Sequence, residues 1–212
     1  MRKIELRSSV RLVLCLLVVL LAAGGPLAAA DKMTRSGFNA DMRKLWEDHI
    51  TWTRLFLVEA TAGLPSKDAT TQRLLQNQTD IGNAIKPFYG DAAGTKLTAL
   101  LRDHILIAAD LVTTAAAGDT AKKDAASQRW LANADEIAAF LSGANPKNWP
   151  AADAKKMMHE HLSLTTNEVV AHLGKDWKAD VAAYDAVHAQ ILHMADMLSS
   201  GIEAQFPNKF HA

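Results

Sequence analysis

Eight histidines and one cysteine are the residues of this 212-residue chain best suited to chemistry. Four histidines, His49, His104, His161 and His188, fall on the apolar stripes of four long helical segments, one on each. An imidazole buried without a hydrogen-bond partner costs roughly 1–3 kcal/mol. Each of the four therefore needs a partner: another ring, a carboxylate, a threonine or a metal. Imidazole suits Zn, Cu, Ni and Fe. A mononuclear site would draw on His49, His104 and His161, completed by His188, Glu168 or Asp196. The same residues also read as a buried network. His49 and Thr53, and His161 and Thr165, are four residues apart and share a helix face. A threonine so placed can fix a ring tautomer, either to orient a metal ligand or to satisfy a buried polar group. Both readings stay open at this point. A network poised near pH 6–7 would respond to acidification.

Other chemistries fall away on spacing. Asp185-Ala-Val-His188 is a single loose version of the Glu-x-x-His pair that di-iron bundles use twice. His159-Glu160-His161 lacks the His-Glu-x-x-His spacing of zinc proteases. The chain has no Cys-x-x-Cys-His, no phosphate-cradling glycine loop and no Gly-x-Ser-x-Gly elbow. No nucleophile–base pair stands out, so an enzyme ranks behind a binding or interaction protein. Met157, Met158, Met194 and Met197 read as core filler rather than as soft Cu(I) ligands. Trp46, Trp52 and Trp130 read as core anchors. His159, His172 and His193 are expected at the rim, and His211 in a tail.

The elements that position these residues are helical. Apolar residues recur at three- and four-residue steps, and strand patterns are nearly absent. Punctuation at Gly63-Leu64-Pro65, Pro87, Gly90, Gly118, Gly143 to Pro146, Pro150 and Gly174 separates six segments: 38–62, 66–86, 91–117, 119–142, 150–173 and 176–205. The second segment is expected to break near Asn77. The expectation is an all-α protein. Its four-helix bundle core is formed by 38–62, 91–117, 150–173 and 176–205, with the other two helices as packed connectors. Residues 104–114 and 190–200 match at four positions. That match is compatible with two related halves packed about a pseudo-twofold axis, and with chance similarity between Ala/Leu-rich helices.

Residues 1–30 read as a signal peptide. Arg2, Lys3, Arg7 and Arg11 precede the apolar run 12–23, and Ala28-Ala29-Ala30 fits a cleavage site. The run is shorter than the roughly 20 residues a membrane span needs. Residues 31–212 are then expected to form a single exported domain, periplasmic in a Gram-negative cell and otherwise secreted. Removing the segment takes four bases and one acid from a chain with 23 of each, leaving a net charge of −3. It also removes the single cysteine, Cys15. A nucleic-acid binder normally carries a basic excess, so that class is not expected. No stable membrane span is expected after cleavage, and the sequence leaves room for a homodimer.

Several stretches carry a resemblance: Leu45-Trp46-Glu47-Asp48-His49-Ile50-Thr51-Trp52-Thr53-Arg54, Leu100-Leu101-Arg102-Asp103-His104, Asn133-Ala134-Asp135-Glu136-Ile137-Ala138, His161-Leu162-Ser163-Leu164-Thr165, Met194-Ala195-Asp196 and Gln205-Phe206-Pro207. Together they resemble a group of small exported bacterial all-helical proteins of unassigned biochemical function. The label glycosyltransferase is sometimes attached to that group automatically. No α/β pattern supports the label here. The resemblance spans nearly all of residues 31–212 and implies a helical fold without implying a mechanism.

Overall fold

The computed structural model describes residues 33–211, which form one unit of the chain. The expected signal segment lies outside them. Five helices follow one another: α1 (Arg35–Ala62), α2 (Lys67–Ala116), α3 (Thr120–Ala144), α4 (Ala151–Leu173) and α5 (Trp177–Gln205). The all-α bundle expected from the periodicity is thus the observed architecture. Among the described residues no helix is long and apolar enough to cross a membrane.

Thr34, Asp119 and Asp176 cap α1, α3 and α5 with their side-chain oxygens, satisfying backbone N–H groups that have no partner within the helix. Pro150 precedes α4. Helix α2 does not break near Asn77. It reverses at Gly90, whose φ of 84° and ψ of 169° only glycine adopts readily. Pro87, three residues earlier, lacks the N–H that would continue the ladder. The arms 67–89 and 91–116 then run antiparallel with their backbones close together. A Cβ on Gly82 would sit 2.6 Å from the Gly94 carbonyl oxygen, and a Cβ on Gly94 equally close to that of Gly82. Further along the hairpin, Arg102 Nη1 reaches the Leu75 carbonyl at 3.4 Å.

Neighbouring helices close a ring: α1 packs on α2 and α5, α2 on α3, α3 on α4, and α4 on α5. The segments expected as connectors, 66–86 and 119–142, are walls of this ring. A two-residue parallel pairing of β1 (Met33–Thr34) with β2 (Phe210–His211) joins the ends of the described chain. It stands over an aromatic cluster in which Phe38 lies 5.1 Å from Phe88 and 5.3 Å from Phe210, centroid to centroid.

The internal repeat runs by hairpins rather than by halves. Three hairpins make the ring: α1 with arm 67–89, arm 91–116 with α3, and α4 with α5. Each first helix carries an acid–histidine–aliphatic triplet: Asp48-His49-Ile50, Asp103-His104-Ile105 and Glu160-His161-Leu162. Seven residues before the histidines, Met42, Leu97 and Ala154 are buried, and eight residues after them so are Leu57, Val112 and Val169. Each second helix carries a buried amide, Asn77, Asn133 or Gln190. Four residues on come Ile81, Ile137 and Met194, each only 1 % exposed. Eight residues on come Ile85, Leu141 and Leu198, also buried. These six second-helix residues line one small interior void, so the three hairpins meet along a common axis.

Candidate functional site

The axial positions one layer along belong to His49, His104 and His161, all buried. The His161 ring lies 5.9 Å from the His49 ring and 6.2 Å from the His104 ring. Two of them are held by the same device. His104 donates its Nδ1–H to Asn133 Oδ1 at 2.8 Å, and Asn133 Nδ2 donates to the carbonyl of Leu100, four residues before the histidine. His161 donates its Nδ1–H to Gln190 Oε1 at 3.1 Å, and Gln190 Nε2 donates to the carbonyl of Met157, again four residues before. The carbonyl acceptors fix each amide's orientation. Each amide oxygen in turn fixes the ring tautomer.

The first hairpin departs from the pattern. Asn77 Nδ2 still reaches the Leu45 carbonyl, four residues before His49. Its Oδ1, however, accepts from the adjacent Gln78 Nε2 at 3.1 Å. By geometry His49 Nδ1, Gln78 Oε1 and the nearby Trp46 Nε1 consequently make no hydrogen bond, although Gln78 lies close enough to His49 to oppose the fall in its pKa. Buried polar atoms are seldom left so, and His49 is the loose member of the layer.

Trp130 closes one ring. Its Nε1–H donates to His104 Nε2 at 3.1 Å. An indole nitrogen only donates, so the Nε2 lone pair of His104 is taken and both of its nitrogens are engaged. Burial pushes all three imidazoles toward the neutral form: His104 falls to about 3 and His161 to about 4, while His49 is lowered well below its ordinary value. Folded-state titration near pH 6–7, expected above for such a network, is therefore not what these three rings do. Thr53 and Thr165 also act differently than expected. Each hydroxyl donates to the carbonyl of its histidine, at 2.7 and 2.9 Å, in the i−4 bond that helical threonines favour, and not to the ring.

Beside the rings is a void of about 20 Å³, lined by all three histidines, Trp130, Thr165 and Glu168. That is room for about one water. Glu168 is buried and accepts from Arg54 Nη1 at 3.0 Å. Desolvation raises its pKa, and Arg54 opposes the rise. Arg54 also grips Asp180 through both guanidinium nitrogens, the Nη2–Oδ2 contact being 2.6 Å, which holds the Asp180 carboxyl below the usual range. Asp180 accepts from His172 Nδ1 at 3.1 Å, and His172 Nε2 lies 2.9 Å from Thr61 Oγ1. A continuous polar chain thus runs from the axial void to the Thr61 end of the bundle.

The order carboxylate–imidazole–hydroxyl in Asp180–His172–Thr61 is that of an acyl-transfer triad. Here, though, Thr61 Oγ1 also lies 2.8 Å from the Leu57 carbonyl and 3.1 Å from that of Val58. Asp180 is already engaged by Arg54. We read the set as a strut that ties α1 to α4 and α5.

Of the six residues expected to bind metal, the structure brings together His49, His104 and His161, with Glu168 on the same void. It places the other two elsewhere. His188 is paired with Glu47 at 2.9 Å with 37 % of its side chain exposed, and Asp196 bridges to Arg43 and Asn39 on α1. The reason for His188 is the rotation of α5. Asp180 turns inward to Arg54, so along the first half of α5 the buried positions are 180 and 187 while Val181 and His188 turn outward; further along, Met194 and Ala195 are both buried, as are Gly201 and Ile202. His172, expected at the rim, is buried in the strut. Among the described residues no group of three or more His, Cys, Asp or Glu side chains has the geometry to hold a metal ion. Sequence reasoning missed Asn133, Gln190 and Gln78. The signal available for them was an amide 29 residues after each histidine.

Compared with protein-family models, with curated proteins and with solved structures, the chain matches none.

Proposed function

We propose that this chain is a non-catalytic interaction or sensory bundle, exported from the cell, whose buried histidine–amide layer holds three helical hairpins in register and makes the fold sensitive to acid. The observation that carries this reading is the pair of bonds on His104. With Asn133 on one nitrogen and Trp130 on the other, the ring has a structural job and no free lone pair. Export rests on the basic and apolar pattern of residues 1–30 and on the resemblance to exported helical proteins. Amino-terminal sequencing of protein recovered from the periplasm or medium tests it.

A second reading, transition-metal binding, draws support from His161. Its Nδ1–H is held by an amide, as in metal ligands with a hydrogen-bonded outer shell. His49 beside it carries no partner on Nδ1. Titration with Zn, Cu, Ni and Co(II), followed by elemental analysis and melting temperature, separates the two readings. The structural reading expects no bound metal and no metal-dependent rise in melting temperature. Trp130→Phe sharpens the comparison. It removes the indole donor from a buried acceptor and should cost about 1–3 kcal/mol. Near-stoichiometric metal on the unmodified chain would overturn the structural reading. Metal binding by Trp130→Phe alone would show that the indole, rather than the ring positions, closes the site.

A further inference from the structure

At the Thr61 end of the bundle an open groove of about 420 Å³ lies between α1 and the α4–α5 turn. That volume falls in the range of small-ligand sites. Its walls are Val58, Leu173 and Trp177, and its polar groups are Thr61, His172 and Lys175. Two features of the turn lack a reason internal to the fold.

The first is the choice of lysine at position 175. Helix α4 ends in a Schellman motif, with Asp176 N–H on the Ala171 carbonyl and Lys175 N–H on that of His172, both at 3.1 Å. The residue at its left-handed position is usually glycine. Here glycine stands one place early, at 174, and Lys175 takes the strained conformation with φ of 57°, the only non-glycine residue among those described to do so. A β-carbon is disfavoured in that conformation. Strained residues of this kind are found where a side chain is needed. Yet among the described residues the Lys175 ammonium has no hydrogen bond and no carboxylate within ion-pair distance. The adjacent Asp176 is turned away to cap α5.

The second is Trp177. It leaves 56 % of its surface exposed, with Val181 one turn on equally exposed. The indole stands edge-on to the His172 ring at 5.5 Å. The His172 ring is itself fixed by Thr61 and Asp180, so the floor of the groove is rigid while its rim presents an apolar plane beside a free cation.

We propose that this groove binds a small amphiphilic carboxylate, its apolar body against Trp177, Val58 and Leu173 and its carboxylate on Lys175. A single cation matches a singly charged group. A phosphate would normally collect several donors, and both nitrogens of His172 are already engaged.

The probe is 3-phenylpropionate, titrated into the full chain and followed by amide chemical shifts, with 3-phenylpropan-1-ol and inorganic phosphate as comparisons. The expected result is saturable binding of the carboxylate with shifts centred on residues 172–181, and binding of the alcohol at least about fivefold weaker. Trp177→Ala should weaken binding by a similar factor. Lys175→Gly separates a binding role from a structural one. It should raise the melting temperature by about 2–4 °C, because glycine relieves the left-handed backbone, while weakening carboxylate binding at least about fivefold. The proposal is overturned by no saturable shift at about 10 mM probe, roughly tenfold above a weak dissociation constant of about 1 mM. It is equally overturned by shifts centred elsewhere, by Lys175→Gly binding as well as the parent, or by inorganic phosphate binding at the same place as tightly as the probe.

Discussion

Acidification from pH 8 to pH 5 should destabilise this bundle through its three axial histidines. In the unfolded chain each ring titrates near 6.5. In the folded protein His104 titrates at about 3 and His161 at about 4, with His49 well below its ordinary value, chiefly because burial penalises the cation. Between those limits the unfolded state binds protons that the folded state refuses, so stability falls as pH falls. At pH 5 an unfolded histidine has gained about 2 kcal/mol from protonation that a ring still neutral in the fold has not. His104 and His161 together contribute about 4 kcal/mol, with His49 adding in the same direction, a large part of the 5–15 kcal/mol that holds a typical domain together. Glu168 works in the opposite sense. Its raised pKa means that protonation as pH falls stabilises the fold and trims the total. Asp180, with a lowered pKa, loses its contribution only at lower pH still, outside this window.

For a chain of this size 4 kcal/mol corresponds to a fall in melting temperature of roughly 8–16 °C, which His49 deepens. Thermal unfolding of the full chain by far-ultraviolet circular dichroism at half-unit pH steps measures it. His161→Gln supplies the internal control. Whatever it does to overall stability, it should shrink the pH-dependent part by about 2 kcal/mol, one histidine's share. A melting temperature that moves less than about 4 °C between pH 8 and pH 5, or a slope unchanged by His161→Gln, would refute the reasoning.

Two further perturbations test the packing that positions the layer. Arg54→Met leaves Glu168 and Asp180 buried without their cation and should cost about 3–5 kcal/mol at pH 7 in urea unfolding; a loss under about 1 kcal/mol would show that the guanidinium is not the joint its bonds describe. Gly82→Val forces side-chain atoms into the 2.6 Å gap to the Gly94 carbonyl and should cost about 3 kcal/mol or more, or prevent the arms of α2 from closing; a melt unchanged from the parent would contradict the close approach.

The helices were legible in the sequence because their signals are local. Proline, glycine and capping residues mark the ends, and the reversal at Gly90 falls between the two segments read as separate helices. The rotation of α5 was not legible. Positions 194 and 195 are both buried, so the two rows 180–187–194 and 181–188–195 differ only over the first half of the helix, where the inward turn of Asp180 depends on an arginine 126 residues away in the chain. The hydrogen bonds of Thr53 and Thr165 were misjudged for a related reason. Spacing puts hydroxyl and ring on one face, but the helix's own carbonyl is nearer and always in place. The three-hairpin repeat was written in the chain, in the acid–histidine–aliphatic triplets at 48–50, 103–105 and 160–162 and the amides that follow. Each signal is short, and only the shared hydrogen-bond pattern shows that they occupy equivalent places.

That equivalence explains why the departures from it matter. Were the layer only a register device, three identical ring–amide pairs would serve it best. Instead the repeat is altered at two of the three histidines. Trp130 stands where the other hairpins carry Leu74 and Val187, and it caps His104. Gln78 stands where they carry Ala134 and Ile191, and it diverts Asn77 from His49. The two rings so affected, His104 and His49, both line the void that Glu168 also lines. Glu168 is held by Arg54, which holds Asp180, which orients His172 on the floor of the groove beside Lys175 and Trp177. Helix α1 contributes to every stage of this path, with His49 at the axis, Arg54 midway and Thr61 at the groove. Arg54 is its only cationic link, so a change that moves the guanidinium acts on the buried layer and on the groove at once.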